Sequence, residues 1–109
     1  MSVQKRLQKR GALGAVSHVS SLEDAFLSLS NRGEVERFLI DLCTPAEIEA
    51  LRQRWAVAQL LDAHIPQREA AQRAHASIAT VTRVARFLQH ERHQGYRVVL
   101  DRLHRKGRA

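Results

Sequence analysis

The 109-residue chain has one cysteine, two prolines and five aromatic residues, and it has no apolar run long enough to span a bilayer. Each scarcity excludes something. Cys43 is the only thiol, so an internal disulfide is impossible, and its apolar flanks offer no cation to stabilise a thiolate. A reducing, cytoplasmic setting is expected. The opening MSVQKRLQKR has the charge of a signal-peptide start, but GALGAVSHVS lacks the leucine-rich stretch that should follow, so neither secretion nor a membrane partner is expected. No Gly-rich phosphate loop is present, and His90-x-x-His93 with Glu91 lacks the Cys or Asp needed to complete a tetrahedral set. No catalytic residue, metal site or cofactor is therefore expected. Strand alternation and internal repeats are also missing, which makes the fold class all-α.

With only Trp55, Tyr96, Phe26, Phe38 and Phe87 as aromatics, the core must come from Leu, Ile, Val and Ala. Small helical domains of this kind often complete their cores by dimerising. The net charge of +7 is divided unevenly. Residues 1–20 hold Lys5, Arg6, Lys9 and Arg10 without an acid; residues 21–61 hold four Arg against seven acids; residues 62–109 hold ten Lys/Arg against four acids. Two basic ends around an acidic middle suggest a scaffold with polyanion contacts at its ends.

Residues 1–18, with Gly11 and Gly14 and no helical period, read as a flexible basic arm, and residues 19–109 as the folded domain. Ser20-Ser21 with Glu23 or Asp24 is a capping box opening a first helix to about Ser30. Asn31-Arg32-Gly33 reads as its break, followed by a second helix through Val35, Phe38, Leu39 and Leu42 to Cys43. Thr44-Pro45-Ala46-Glu47 is the strongest local signal: Thr44 caps, Pro45 takes the first helical position and Glu47 closes the box. The long helix that follows has an apolar stripe of Ile48, Leu51, Trp55, Ala58 and Leu61, flanked by Val57 and Leu60, and ends near Ala63-His64.

Pro66 opens another helix, whose Ala70, Ala71 and Ala74 suit close approach to a neighbour. His75-Ala76 interrupts it. Ser77 caps the next helix, with Ile78, Val81, Val84 or Ala85, and Leu88 inward, and Ala79, Thr80, Thr82, Arg83 and Arg86 outward. A short helix, a tight turn and a second helix with a small, Thr- and Arg-bearing face form a helix-turn-helix pattern over Gln67 to Phe87. Small residues let the helix enter the major groove, Thr meets phosphate or a thymine methyl, and Arg bonds guanine or phosphate. No acid lies between Glu69 and Glu91 to pair with Arg83 and Arg86 at helical spacing. Gln89 to Gly95 reads as a loop, and Tyr96, Val99, Leu100 and Leu103 as a last helix before the tail Arg105-Lys106-Gly107-Arg108.

Leu42-Cys43-Thr44-Pro45, Gln53-Arg54-Trp55, Gln67-Arg68-Glu69, Ile78-Ala79-Thr80-Val81-Thr82-Arg83 and Gly95-Tyr96-Arg97 together resemble the Trp repressor family, especially its YerC/YecD-like branch without a known corepressor. The resemblance implies a six-helix chain intertwined with a second copy, and a transcriptional regulator, of repressor type, that binds a palindromic duplex site. It places Arg68, Ile78, Ala79, Thr80 and Thr82 on DNA. With Gln67, Ser77, Arg83 and Arg86 these make up the candidate DNA contacts. Leu42, Thr44, Arg54 and Arg83 match positions that hold the ligand's ring and carboxylate in tryptophan-responsive members. Val84 stands where those members have a glycine that makes room for the ring, and Phe87 where a serine bonds the amino group. L-tryptophan is therefore not expected as effector, and no other effector is named. The alternative is a protein-interaction module whose basic ends give only solubility; steep weakening by salt would mark phosphate contacts instead.

Overall fold

The computed structural model describes residues 19–108, and the arm expected over residues 1–18 lies outside them. Among the described residues there are six helices and no strand: α1 Leu22–Leu27, α2 Arg32–Leu42, α3 Pro45–Asp62, α4 Gln67–Ala74, α5 Ile78–Gln89 and α6 Gly95–Arg108. The chain divides into two compact units, up to Asp41 and from Leu42 onward. No described helix is long and apolar enough to cross a membrane.

In the first unit the Ser21 hydroxyl accepts from Asp24 N–H at 3.0 Å and opens α1. This helix stops at Ser28, earlier than the sequence pattern predicts, because Ser28 turns its hydroxyl back onto the Ala25 carbonyl at 2.7 Å. Asn31-Arg32-Gly33 is not the break it was expected to be. The Asn31 side chain accepts from Glu34 N–H at 3.0 Å, and Glu34 in return accepts from Ser30 N–H at 2.7 Å. Asn31 is thus a cap, and Arg32 and Gly33 form the first turn of α2. Phe26 and Phe38 meet edge to face, with centroids 5.2 Å apart.

The second unit holds the core. Thr44 and Glu47 form the expected reciprocal cap of α3, at 3.1 and 2.8 Å, with Pro45 at the helix start. The buried residues of α3 are Val57, Ala58 and Leu61, while Leu51, expected in the stripe, is 41% exposed. The second half of α3 packs in the cluster with α4 and α5, and only there is its apolar surface fully buried; Ile48 in the first half is half-buried. Ala70 and Ala71 of α4 are small enough to bring its backbone close, and Val81, Val84, Ala85 and Leu88 of α5 complete the cluster with Leu100 of α6. Ile78, assigned inward by periodicity, is 57% exposed: it is the first residue of α5, one turn before the packed stripe begins. The last helix continues through the basic tail to Arg108. Arg and Lys are good helix formers, favourable at a carboxyl end, and a glycine beside the end costs little. Arg97 of α6 bonds Asp62 at the end of α3, with Asp101 and His104 also within salt-bridge distance of this pair.

Candidate nucleic-acid interface

The turn between α4 and α5 is built from local chemistry. His75 takes left-handed backbone, φ 53° and ψ 40°, and Ala76 N–H returns to the Ala71 carbonyl at 2.9 Å, closing α4. Ser77 then caps α5: its oxygen accepts from Thr80 N–H, and its hydroxyl donates to Thr80 Oγ1, both at 3.0 Å. From α3 the Gln53 amide donates to the His75 carbonyl at 3.1 Å. The turn is therefore held from within and from the long helix beneath it.

The candidate DNA contacts emerge on one hairpin. Gln67, Arg68, Ser77, Ile78, Ala79, Thr82, Arg83 and Arg86 are exposed, and Thr80 is half-buried through its bonds to Ser77. Ala79, Thr82, Arg83 and Arg86 lie opposite the buried Val81, Val84, Ala85 and Leu88, which fix α5 against α3. Such a helix is rigid on its inner side and chemically open on its outer side.

The arginines differ in their surroundings. Arg83 stacks on Phe87 with its guanidinium carbon 4.4 Å from the ring centroid, and Arg86 lies 5.1 Å from the same ring. Arg86 is not unpaired, as helical spacing implied. Its Nε is 3.3 Å from Glu91, which reaches it because the helix ends at Gln89 and the chain turns back. Helical i,i+4 spacing cannot reveal such a pair. Arg73 pairs with Glu69 at 3.2 Å, while Arg68 and Arg83 have no acidic partner among the described residues.

Beside α5 lies an open cleft of about 620 Å³. Arg54, Arg83, Val84 and Phe87 of the expected effector pocket line it, joined by Trp55 from α3 and by His93, Gln94 and Tyr96 near the start of α6. Val84, 1% exposed, forms wall and does not close the cleft. Leu42 and Thr44 do not line it; Leu42 is exposed and the Thr44 hydroxyl is engaged in the α3 cap. The contribution of residues 93–96 was not read from sequence, because a loop and a helix start converge on α5 only through the fold. The cleft lining includes two arginines, a histidine and no acid.

Comparison with known proteins agrees with this geometry. The family model for the Trp repressor protein matches residues 17–104. The uncharacterised protein YerC of Bacillus subtilis is 36% identical over 85 residues, covering 78% of this chain and 81% of its own. A Trp operon repressor homolog of Actinobacillus succinogenes is 36% identical over 75 residues, 68% of this chain and 74% of its own. The crystal structure of a TrpR-like protein from Eubacterium eligens superposes with a TM-score of 0.70 at 37% identity, covering 87% of this chain and 91% of that one. An all-α chain with a helix-turn-helix whose family match spans nearly all of the described residues belongs to the Trp repressor family, in its YerC-like branch.

Proposed function

We propose that the protein is a transcriptional regulator of repressor type that binds a palindromic duplex DNA site as a homodimer, with α5 in the major groove and without tryptophan as corepressor. The observation that carries this reading is α5 itself. Its buried stripe locks it to the core while Ala79, Thr82, Arg83 and Arg86 stay exposed, a small-residue, Thr and Arg face suited to base edges and phosphates. The family membership and the repressor homolog from Actinobacillus support the same function.

Dimerisation is supported by apolar surface that one chain leaves open. Val98, Val99 and Leu103 of α6 are each more than two-fifths exposed, and Val99 and Leu103, four residues apart, share one helix face that a second copy would cover. A two-fold dimer would set two α5 helices on one face, and the arm at 1–18 would add phosphate contacts at each end. Independence from tryptophan is supported by the cleft lining, in which two arginines and no carboxylate are present to receive an amino acid's ammonium, and Phe87 offers it no hydrogen-bond acceptor. Selection of bound sequences from random duplex DNA with the purified protein tests the proposal. Recovery of a two-fold symmetric motif is expected, and failure to enrich any sequence overturns specific recognition.

A further inference from the structure

We propose that Glu91 is a counter-charge to Arg86 that lowers the affinity of α5 for the DNA phosphate backbone, whatever the base sequence. The inference rests on the DNA-binding reading above. α5 contains Arg83 and Arg86 and no acid of its own. Glu91 supplies one from beyond the helix end. His90 N–H and Glu91 N–H both donate to the Arg86 carbonyl, at 2.8 and 3.1 Å, so the turn that terminates α5 is tethered to the residue whose side chain Glu91 engages. The carboxylate then reaches Arg86 Nε at 3.3 Å, while the Phe87 ring lies beneath the guanidinium.

This arrangement has a specific consequence for phosphate. An arginine binds an oxyanion best through two parallel N–H donors, and one such fork uses Nε with a terminal nitrogen. At Arg86 the Glu91 carboxylate stands 3.3 Å from Nε as an ion pair, so its negative charge occupies the Nε side of the fork and the terminal nitrogens remain for DNA. A phosphate approaching along that side also meets the Glu91 carboxylate, a like charge only a few ångströms from its binding partner. Full engagement of Arg86 therefore requires Glu91 to move away. The pair is surface-exposed, 60% at the Arg86 side chain and 37% at Glu91, so the exchange is cheap. Its effect is graded, an adjustment of affinity. Arg73 and Glu69 also pair, but within α4 at 3.2 Å; Arg83 and Arg68 have no such partner among the described residues. Of the two arginines on α5, only Arg86 is opposed in this way.

Fluorescence anisotropy with labelled random-sequence duplex, from low to moderate salt, tests the role with the intact protein, Glu91→Gln, Arg86→Gln and the double variant. Glu91→Gln should tighten binding about twofold to fivefold per protomer at low salt, the range set by an exposed ion pair. The gain should shrink as salt screens the charges, and it should be much smaller when Arg86 is already Gln. An operator-like duplex should show the same fold-change as random DNA. Weaker binding by Glu91→Gln would overturn the proposal by making Glu91 a support that orients Arg86. An equal gain in both backgrounds would overturn it by showing a general charge effect. Duplex binding that is unaffected by Glu91→Gln defeats this inference alone, whereas an unmodified protein that binds no duplex defeats the functional reading with it.

Discussion

The Gln53 side-chain amide bonds the His75 carbonyl across 22 positions of sequence, tying the long helix α3 to the left-handed residue between α4 and α5. His75 holds a backbone conformation that costs a non-glycine residue roughly 1 kcal/mol. His75→Gly should therefore raise stability by no more than about 0.5 kcal/mol, after the greater freedom of glycine in the unfolded chain is counted. Gln53→Ala should lower it by about 1 kcal/mol and speed amide exchange at Ala76. Urea unfolding and hydrogen exchange measure both; a destabilised His75→Gly protein would contradict the strain argument.

Thr44 is expected to matter as a cap. Replacing it with Ala removes the acceptor for Glu47 N–H and should cost about 1 kcal/mol in chemical unfolding. Thr44→Ser keeps the acceptor and should recover most of the loss. Equal destabilisation by both substitutions would place the importance of Thr44 in its methyl group.

Light scattering at micromolar concentration should return twice the chain mass of 12.4 kDa. Leu103→Glu, on the exposed apolar face of α6, should shift the protein toward monomer or unfolded chain. A folded monomer in the unmodified protein would remove the dimeric architecture from the proposed function.

Reading and positioning are separable on α5. Substitutions at Ala79 or Thr80 should alter the preferred base at one site position, with discrimination changing by about 1–3 kcal/mol, whereas Arg86→Ala should weaken all sequences alike. Binding selections on the variants decide between these outcomes. Uniform losses at all three positions would mean that α5 does not read the groove.

Calorimetry with L-tryptophan should show no binding at micromolar concentrations and no change in DNA affinity. The double change Val84→Gly with Phe87→Ser enlarges the cleft beside Arg54 and Arg83, removes the ring under both α5 arginines, and should lower basal DNA affinity. A ligand can shift the reader only by its differential affinity for two states. Micromolar tryptophan binding coupled to tighter DNA binding in the unmodified protein would reverse the expectation.

Much of the architecture is legible in local sequence because it is specified by neighbours. Thr44-Pro45-Ala46-Glu47 carries its cap within four residues, and Ser77 closes onto Thr80 in the same way, so α3 and α5 begin where the sequence predicts. Asn31 was legible only as a punctuating residue; whether it ends one helix or starts the next depended on Glu34 folding back to Ser30. The basic tail hid a helical continuation because charge hides periodicity without preventing a helix.

The residues themselves determined the all-α class, the helix-turn-helix and the outward Ala79, Thr82, Arg83 and Arg86 of α5, though not the exposure of Ile78, since capping and a 3.6-residue period act over one or two turns. Tertiary structure alone decided which half of α3 is buried, that Gln53 reaches His75, that Glu91 answers Arg86, and that residues 93–96 form a cleft with Arg54 and Val84. Those contacts join positions on different elements or across a chain reversal. Their proximity is set by how helices pack, and sequence spacing does not encode it.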